Sequence, residues 1–169
     1  GAVPAMLETT LYDVLIGNAK IADAVIATKW ENVSLLPSNI DLAGAELELA
    51  SVLSRETQLR KHLSRLSGYD VALIDCPPSL GLLTINALVA ADKLVIPIQC
   101  EYYALEGVGQ LAHTVQLLQE SLNPHIDIDG VLLTMFDGRT NLSNEVAEEV
   151  RRQFPDAVFE TVIPRNIRL

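Results

Sequence analysis

Cationic side chains are scarce in this 169-residue sequence: 12 Lys and Arg stand against 22 Asp and Glu, a formal charge of −10 with histidine neutral. Such a balance favours solubility and disfavours tight binding of nucleic acid by an unaided surface, so any DNA contact has to be local and shared between subunits. Cysteine is scarcer still. Only Cys76 and Cys100 are present, with no spacing suited to zinc, and both read as reduced thiols packed at strand ends. His62, His113 and His125 stand apart from one another and from the cysteines, which leaves a metal site of that kind without ligands. No apolar stretch approaches the roughly 20 residues of a membrane span, and the N-terminus lacks a basic segment followed by an apolar core. The chain therefore reads as cytosolic, with no membrane partner. Its nine glycines are scattered, and neither Gly-Lys-Ser nor Gly-Lys-Thr occurs. Nucleotide-binding α/β domains usually open on a strand, a glycine-rich turn and a helix whose backbone N–H groups cradle phosphates. If a nucleotide is served here, its phosphate cradle is expected outside these residues.

What the sequence does have is apolar content, 49% of residues, enough for a substantial core and a single α/β domain over residues 1–169. The most informative run is YDVALIDCPPSLG, residues 69–81. Four apolar residues lead into Asp75, and Pro77 and Pro78 forbid the strand from continuing. An unalternating apolar run closed by a carboxylate predicts a buried parallel strand over 71–75 that delivers one acid to the carboxyl edge of a sheet, where open α/β sheets bind ligands. Two readings of Asp75 stay open at this point: it holds the hydrated magnesium of a nucleotide, or it caps the helix that follows.

Around that run the pattern alternates. Helical spacing over residues 9–28, interrupted at Gly17-Asn18, predicts two short helices, and the apolar run 33–36 a strand stopped by Pro37. Apolar residues at 42, 45, 49, 52, 59, 63 and 66 trace a helical seam with a break near Ser54. Helices are predicted over 82–90, 108–122 and about 142–150, and strands over 94–98, 130–135 and 158–163. Strands and helices in turn, with short connections, imply right-handed crossovers and a mostly parallel sheet with helices on both faces.

These segments, with IPIQCEYYALEG (96–107), LLTMFDGRTNL (132–142), VIPRNIRL (162–169) and LAGAELELA (42–50), closely resemble the ParA/Soj branch of the ParA/MinD ATPases, P-loop proteins with a deviant Walker A motif that partition chromosomes and plasmids. The resemblance runs from about Leu11 to the last residue. It implies an ATP-dependent switch that forms a homodimer with ATP, binds DNA non-specifically in the nucleoid and is stimulated by a ParB/Spo0J-type partner. By position it implies that Asp75 is the Walker B acid holding magnesium through water and that Pro77, Pro78 and Gly81 form the switch segment. It further implies that Met135, Pro164 and Asn166 surround the adenine base, that Glu101 lies near the dimer interface, and that Arg139 and Arg168 touch the DNA backbone. The family's lysine-bearing P-loop and second acidic motif would precede residue 1, and its further strand and helices would follow Leu169, so the chain looks like an internal segment, a P-loop NTPase fold incomplete at both ends. ATP and magnesium are expected in the full-length protein, none tightly held by these 169 residues, which are expected to be inactive alone.

Each residue also has an ordinary reading. Glu101 and Glu106 suit a solvated loop and a helix start, Arg139 a turn, and Arg151 and Arg152 a helix C-terminal end. Trp30 and Tyr102-Tyr103 suit packing. Other readings of the whole chain are a MinD-like division-site ATPase, which needs an amphipathic C-terminal helix; a phosphoacceptor domain with Asp75 as nucleophile, for which no acidic pair or lysine is visible; and a non-enzymatic interaction module.

Overall fold

The computed structural model describes residues 8–101 and 104–166, with backbone alone for 104–108 and 110–112. The chain packs as two compact units, residues 1–91 and 92–169.

In the first unit the two predicted short helices are present, α1 (Leu11–Leu15) and α2 (Ile21–Ala24). A capping box starts α1, with the Thr10 backbone N–H donating to Asp13 Oδ2 at 2.8 Å. The predicted strand at 33–36 is β2 (Ser34–Leu35), paired antiparallel with β1 (Ile26–Ala27). The apolar seam becomes a 3₁₀ turn (Ile40–Gly44), α3 (Ala45–Leu49), a second 3₁₀ turn (Arg55–Thr57) and α4 (Gln58–Leu63). Its break falls at Ser54, which adopts a left-handed φ of 54° that ends helical propagation. α5 (Leu82–Ala90) occupies its predicted span. Leu15, Ala45, Leu49, Leu59 and Ala87 form the core of this unit. Inside it the buried Asn86 accepts from the Leu59 N–H at 3.1 Å and donates to the carbonyls of Arg55 and Leu82 at 2.8 and 3.0 Å, fastening α4 to α5 through backbone groups that would otherwise lack partners.

The buried strand expected over 71–75 is not formed. Those residues have no regular structure, and Val71 and Leu73 are 75% and 95% exposed. A strand exists only where a neighbour completes its ladder, and among the described residues none lies alongside this run. Apolar composition alone therefore does not bury it.

The second unit is built on β3 (Lys93–Gln99) and β4 (Asp127–Thr134), parallel, in register from Lys93 opposite Asp127 to Gln99 opposite Thr134. Asp129 is the extra residue of a bulge between the Leu94 and Val95 pairings. The next residue, Gly130, admits no side chain, because a Cβ there would fall 2.1 Å from Phe159 Cζ. The strand predicted at 158–163 lies parallel along β4 as two isolated bridges, Val131 with Val158 and Phe136 with Pro164. Its backbone bonds to Val131 on both sides of Val158 and rejoins β4 only where Ile163 N–H donates to the Leu133 carbonyl at 2.8 Å. Four residues there span what two span on β4, and the surplus loops out of the ladder.

α6 (Ala104–Ser121) follows β3, and α7 (Asn141–Gln153) follows β4. Thr140 caps α7, its hydroxyl accepting from the Ser143 N–H at 3.3 Å. Val146, Ala147 and Val150 of α7, with Phe154 just beyond its end, pack on Ile96, Ile98, Val131 and Leu133 of the sheet. Along β3 the residues alternate between this buried face and an exposed one. The fold is α/β, with a parallel sheet and helices. Among the described residues, no helix is long and apolar enough to cross a membrane.

Candidate nucleotide and DNA site

The carboxyl edge of the second unit's sheet carries Glu101, Met135, Arg139, Pro164 and Asn166, five of the residues singled out in the sequence. Where β3 ends, the Cys100 N–H donates to the Thr134 carbonyl at 2.9 Å, and the Ser143 hydroxyl donates to the Cys100 carbonyl at 3.1 Å. Burial of Cys100 pushes its thiol up, as suits a packing role. Beyond β4, Met135 turns the chain with a left-handed φ of 52°. The Phe136 N–H then donates to the Ile163 carbonyl at 3.1 Å, and the Arg165 N–H donates to the Phe136 carbonyl at 3.0 Å. This ladder pairs Phe136 with Pro164 and so brings half-buried Met135 to the same edge as Pro164 and Asn166, about 30 positions further along the chain. A thioether, a pyrrolidine ring and a carboxamide together suit an aromatic base, offering apolar contact and one polar handle.

Two arginines at this edge are engaged by acids of the same chain. Arg165 pairs with Glu101. Arg139 grips Asp137 with both arms, Nε to Oδ1 at 2.8 Å and Nη2 to Oδ2 at 2.7 Å, while its side chain is 89% exposed. The Arg139 guanidinium, aided by the Arg139 backbone N–H, holds the Asp137 carboxyl down at about 2. Because the folded value is depressed, whatever the pair contributes is present above the ordinary carboxylate range and is lost only as pH falls toward that value. Arg168, Tyr102 and Tyr103 lie outside the described residues, as does the side chain of Glu106.

Asp75, Pro77, Pro78 and Gly81 belong to the first unit. Asp75 is exposed and, among the described residues, enters no ion pair. It is not a helix cap: the N-cap of α5 is Gly81, and the first-turn N–H of Leu83 donates to Glu46 Oε1 at 3.1 Å. Cys76 beside it is exposed rather than packed. The Thr84 hydroxyl donates to the Ser79 carbonyl at 2.6 Å and ties the proline segment to α5. A lone uncommitted carboxylate on a proline-stiffened segment fits magnesium held through water, since that ion keeps most of its own waters.

Periodicity missed Glu46, because on a helical seam it reads as a solvated face; only the fold brings it 37 positions along the chain to α5. It also explains Gly81. A Cβ there would lie 2.4 Å from Glu46 Oε1, so alanine has to expel the carboxylate from the helix start. Gly81→Ala and Glu46→Ala are each expected to destabilise the chain by about 1 kcal/mol, the usual worth of a lost cap, and the double variant by about the same. Urea unfolding gives the three values; additive losses would show that the two positions act independently.

A family model described as an AAA domain matches residues 1–128. The sporulation initiation inhibitor protein Soj of Bacillus subtilis (strain 168) is 54% identical over 170 residues, covering 100% of this chain and 67% of that protein. The chromosome partitioning protein ParA of Myxococcus xanthus (strain DK1622) is 50% identical over 161 residues, covering 95% of this chain and 57% of that protein. Among solved structures, cobyrinic acid a,c-diamide synthase from Mycobacterium smegmatis with bound ADP and magnesium superposes with a TM-score of 0.89 at 41% identity, covering 98% of this chain and 68% of that one. This chain thus spans roughly three fifths to two thirds of the length of these relatives. With that identity maintained along its length, on the same α/β fold, the chain belongs to the Soj/ParA family of chromosome-partitioning ATPases.

Proposed function

We propose that this chain is the switch and base-binding portion of an ATP-dependent dimerising partition ATPase that binds DNA non-specifically and answers to a ParB/Spo0J-type partner. The observation that carries the reading is the 54% identity to Soj along the whole chain. Supporting it, the pairing of Phe136 with Pro164 puts Met135, Pro164 and Asn166 along one sheet edge. In this reading Asp75 holds magnesium through water, and the bound ion supplies positive charge against that developing on the transferred phosphoryl group. Pro77, Pro78 and Gly81 report the γ-phosphate to α5, which Thr84 ties to that segment through the Ser79 carbonyl. Glu101, joined to Arg165, lies near the dimer interface. The protein works in the cytoplasm, on the nucleoid. With no Gly-Lys-Ser or Gly-Lys-Thr among its residues, the 169-residue chain alone neither binds ATP tightly nor hydrolyses it.

DNA contact by so acidic a chain depends on doubling. A dimer presents two sets of Arg139 and Arg168, and phosphate neutralisation becomes multivalent. The Asp137 clamp keeps the Arg139 guanidinium extended into solvent before DNA arrives, which limits the side-chain entropy lost on binding. In the full-length protein, Arg139→Glu combined with Arg168→Glu is expected to abolish DNA retention in a low-salt mobility shift while ATP-driven dimerisation, followed by light scattering, persists. Undiminished retention by a folded double variant would remove both arginines from the site.

A further inference from the structure

The first unit holds one more concave feature, and the partition reading makes no use of it. A groove of about 630 Å³ runs between the α1–α2 turn and α4, a volume suited to a small molecule. Its wall carries Lys20, Asp23, Gln58, Lys61, His62 and Arg65. In a chain of formal charge −10, three cations and one acid line this groove. Among the described residues, none of Lys20, Lys61 and Arg65 enters an ion pair, so their charge is free to meet a ligand. His62 lies on the same wall. Its side chain is 8% exposed, and its Nδ1 is buried without a hydrogen-bond partner.

We propose that this groove binds a small phosphate-bearing anion, with Lys20, Lys61 and Arg65 neutralising its oxygens and the His62 ring on the groove wall. Flexible cations on two separate elements, α4 and the start of α2, can close on a compact oxyanion, whereas a duplex is too wide to enter a cleft of this size. The field at His62 agrees. Burial first, then Arg65 and Lys61, lower its affinity for a proton; Lys20 and Asp23 are the other charged groups that line the groove with it. An oxyanion seated among the cations reverses that balance, so the His62 titration moves upward when the groove is filled.

The test uses the isotopically labelled 169-residue chain, titrated with pyrophosphate at constant ionic strength and in parallel with sodium chloride and adenosine. Saturable amide shifts confined to residues 15–23 and 52–65 are expected with pyrophosphate alone, together with a rise in the His62 ring titration midpoint. Lys61→Gln with Arg65→Gln is expected to weaken pyrophosphate binding by roughly tenfold or more, as loss of two charge-assisted contacts implies. Arg60→Gln, on the same helix but outside the groove, leaves binding unchanged. Should the double variant fold poorly, Lys20→Gln on the other wall is expected to weaken binding in the same sense. Equal shifts with chloride, shifts of residues 15–23 or 52–65 with adenosine, an unmoved His62 midpoint, or full binding by folded Lys61, Arg65 and Lys20 variants would each overturn the proposal.

Discussion

Asp75→Asn, placed in the full-length protein, is expected to lower ATP turnover by about 100-fold or more, in line with the loss of a charge that positions a catalytic metal. Its effect on stability is expected to stay within about 0.5 kcal/mol, as for an exposed substitution that breaks no contact. The contrast follows from the structure: the carboxylate is exposed, caps no helix and, among the described residues, enters no ion pair. Removing its charge is therefore expected to leave folding alone and, if Asp75 is the metal-holding acid, to raise the magnesium requirement. Phosphate release measured across a magnesium series checks this, and the variant's residual activity is expected to need more magnesium than the parent's. Turnover within threefold of the parent would dismiss Asp75 as the metal-holding acid.

The largest loss of stability is expected at Leu133. This side chain is 0% exposed in β4 and packs among Ile98, Val146 and Val150. Leu133→Ala removes apolar contacts and leaves a cavity between a sheet and a helix that cannot close fully, so a cost of about 2–5 kcal/mol is expected. Leu73→Ala, 95% exposed in the unpaired run, is expected to shift stability by no more than about 0.5 kcal/mol. Circular dichroism in urea separates the two. The lone tryptophan, Trp30, reports on the first unit and is a poor probe for Leu133. Equal losses at both positions would mean that residues 71–75 are buried in solution.

The helices were legible because their information is local. Apolar spacing of three and four residues acts within a few positions, and α5 and α7 fall where that spacing puts them. The break near Ser54 was legible too, in the gap where the apolar seam passes directly from Val52 to Leu59. Strands were read less well because a ladder needs a second chain segment. Residues 94–98 and 130–135 found one another; 71–75, the most strand-like run by composition, did not. β1 was missed, being two residues long with no apolar alternation.

The candidate site divides along the same line. Composition and motif were enough to establish the family, the α/β class, the short-range helices and the acid that closes the apolar run, because each depends on residue type and near neighbours. Whether an apolar run becomes a strand, how Met135 comes to share an edge with Pro164 and Asn166, that Asp137 claims Arg139, and that Glu46 rather than Asp75 starts α5 were decided by tertiary structure. Those outcomes turn on which backbone groups and charges meet after long loops close, and the geometry of such meetings is written in no single stretch of sequence.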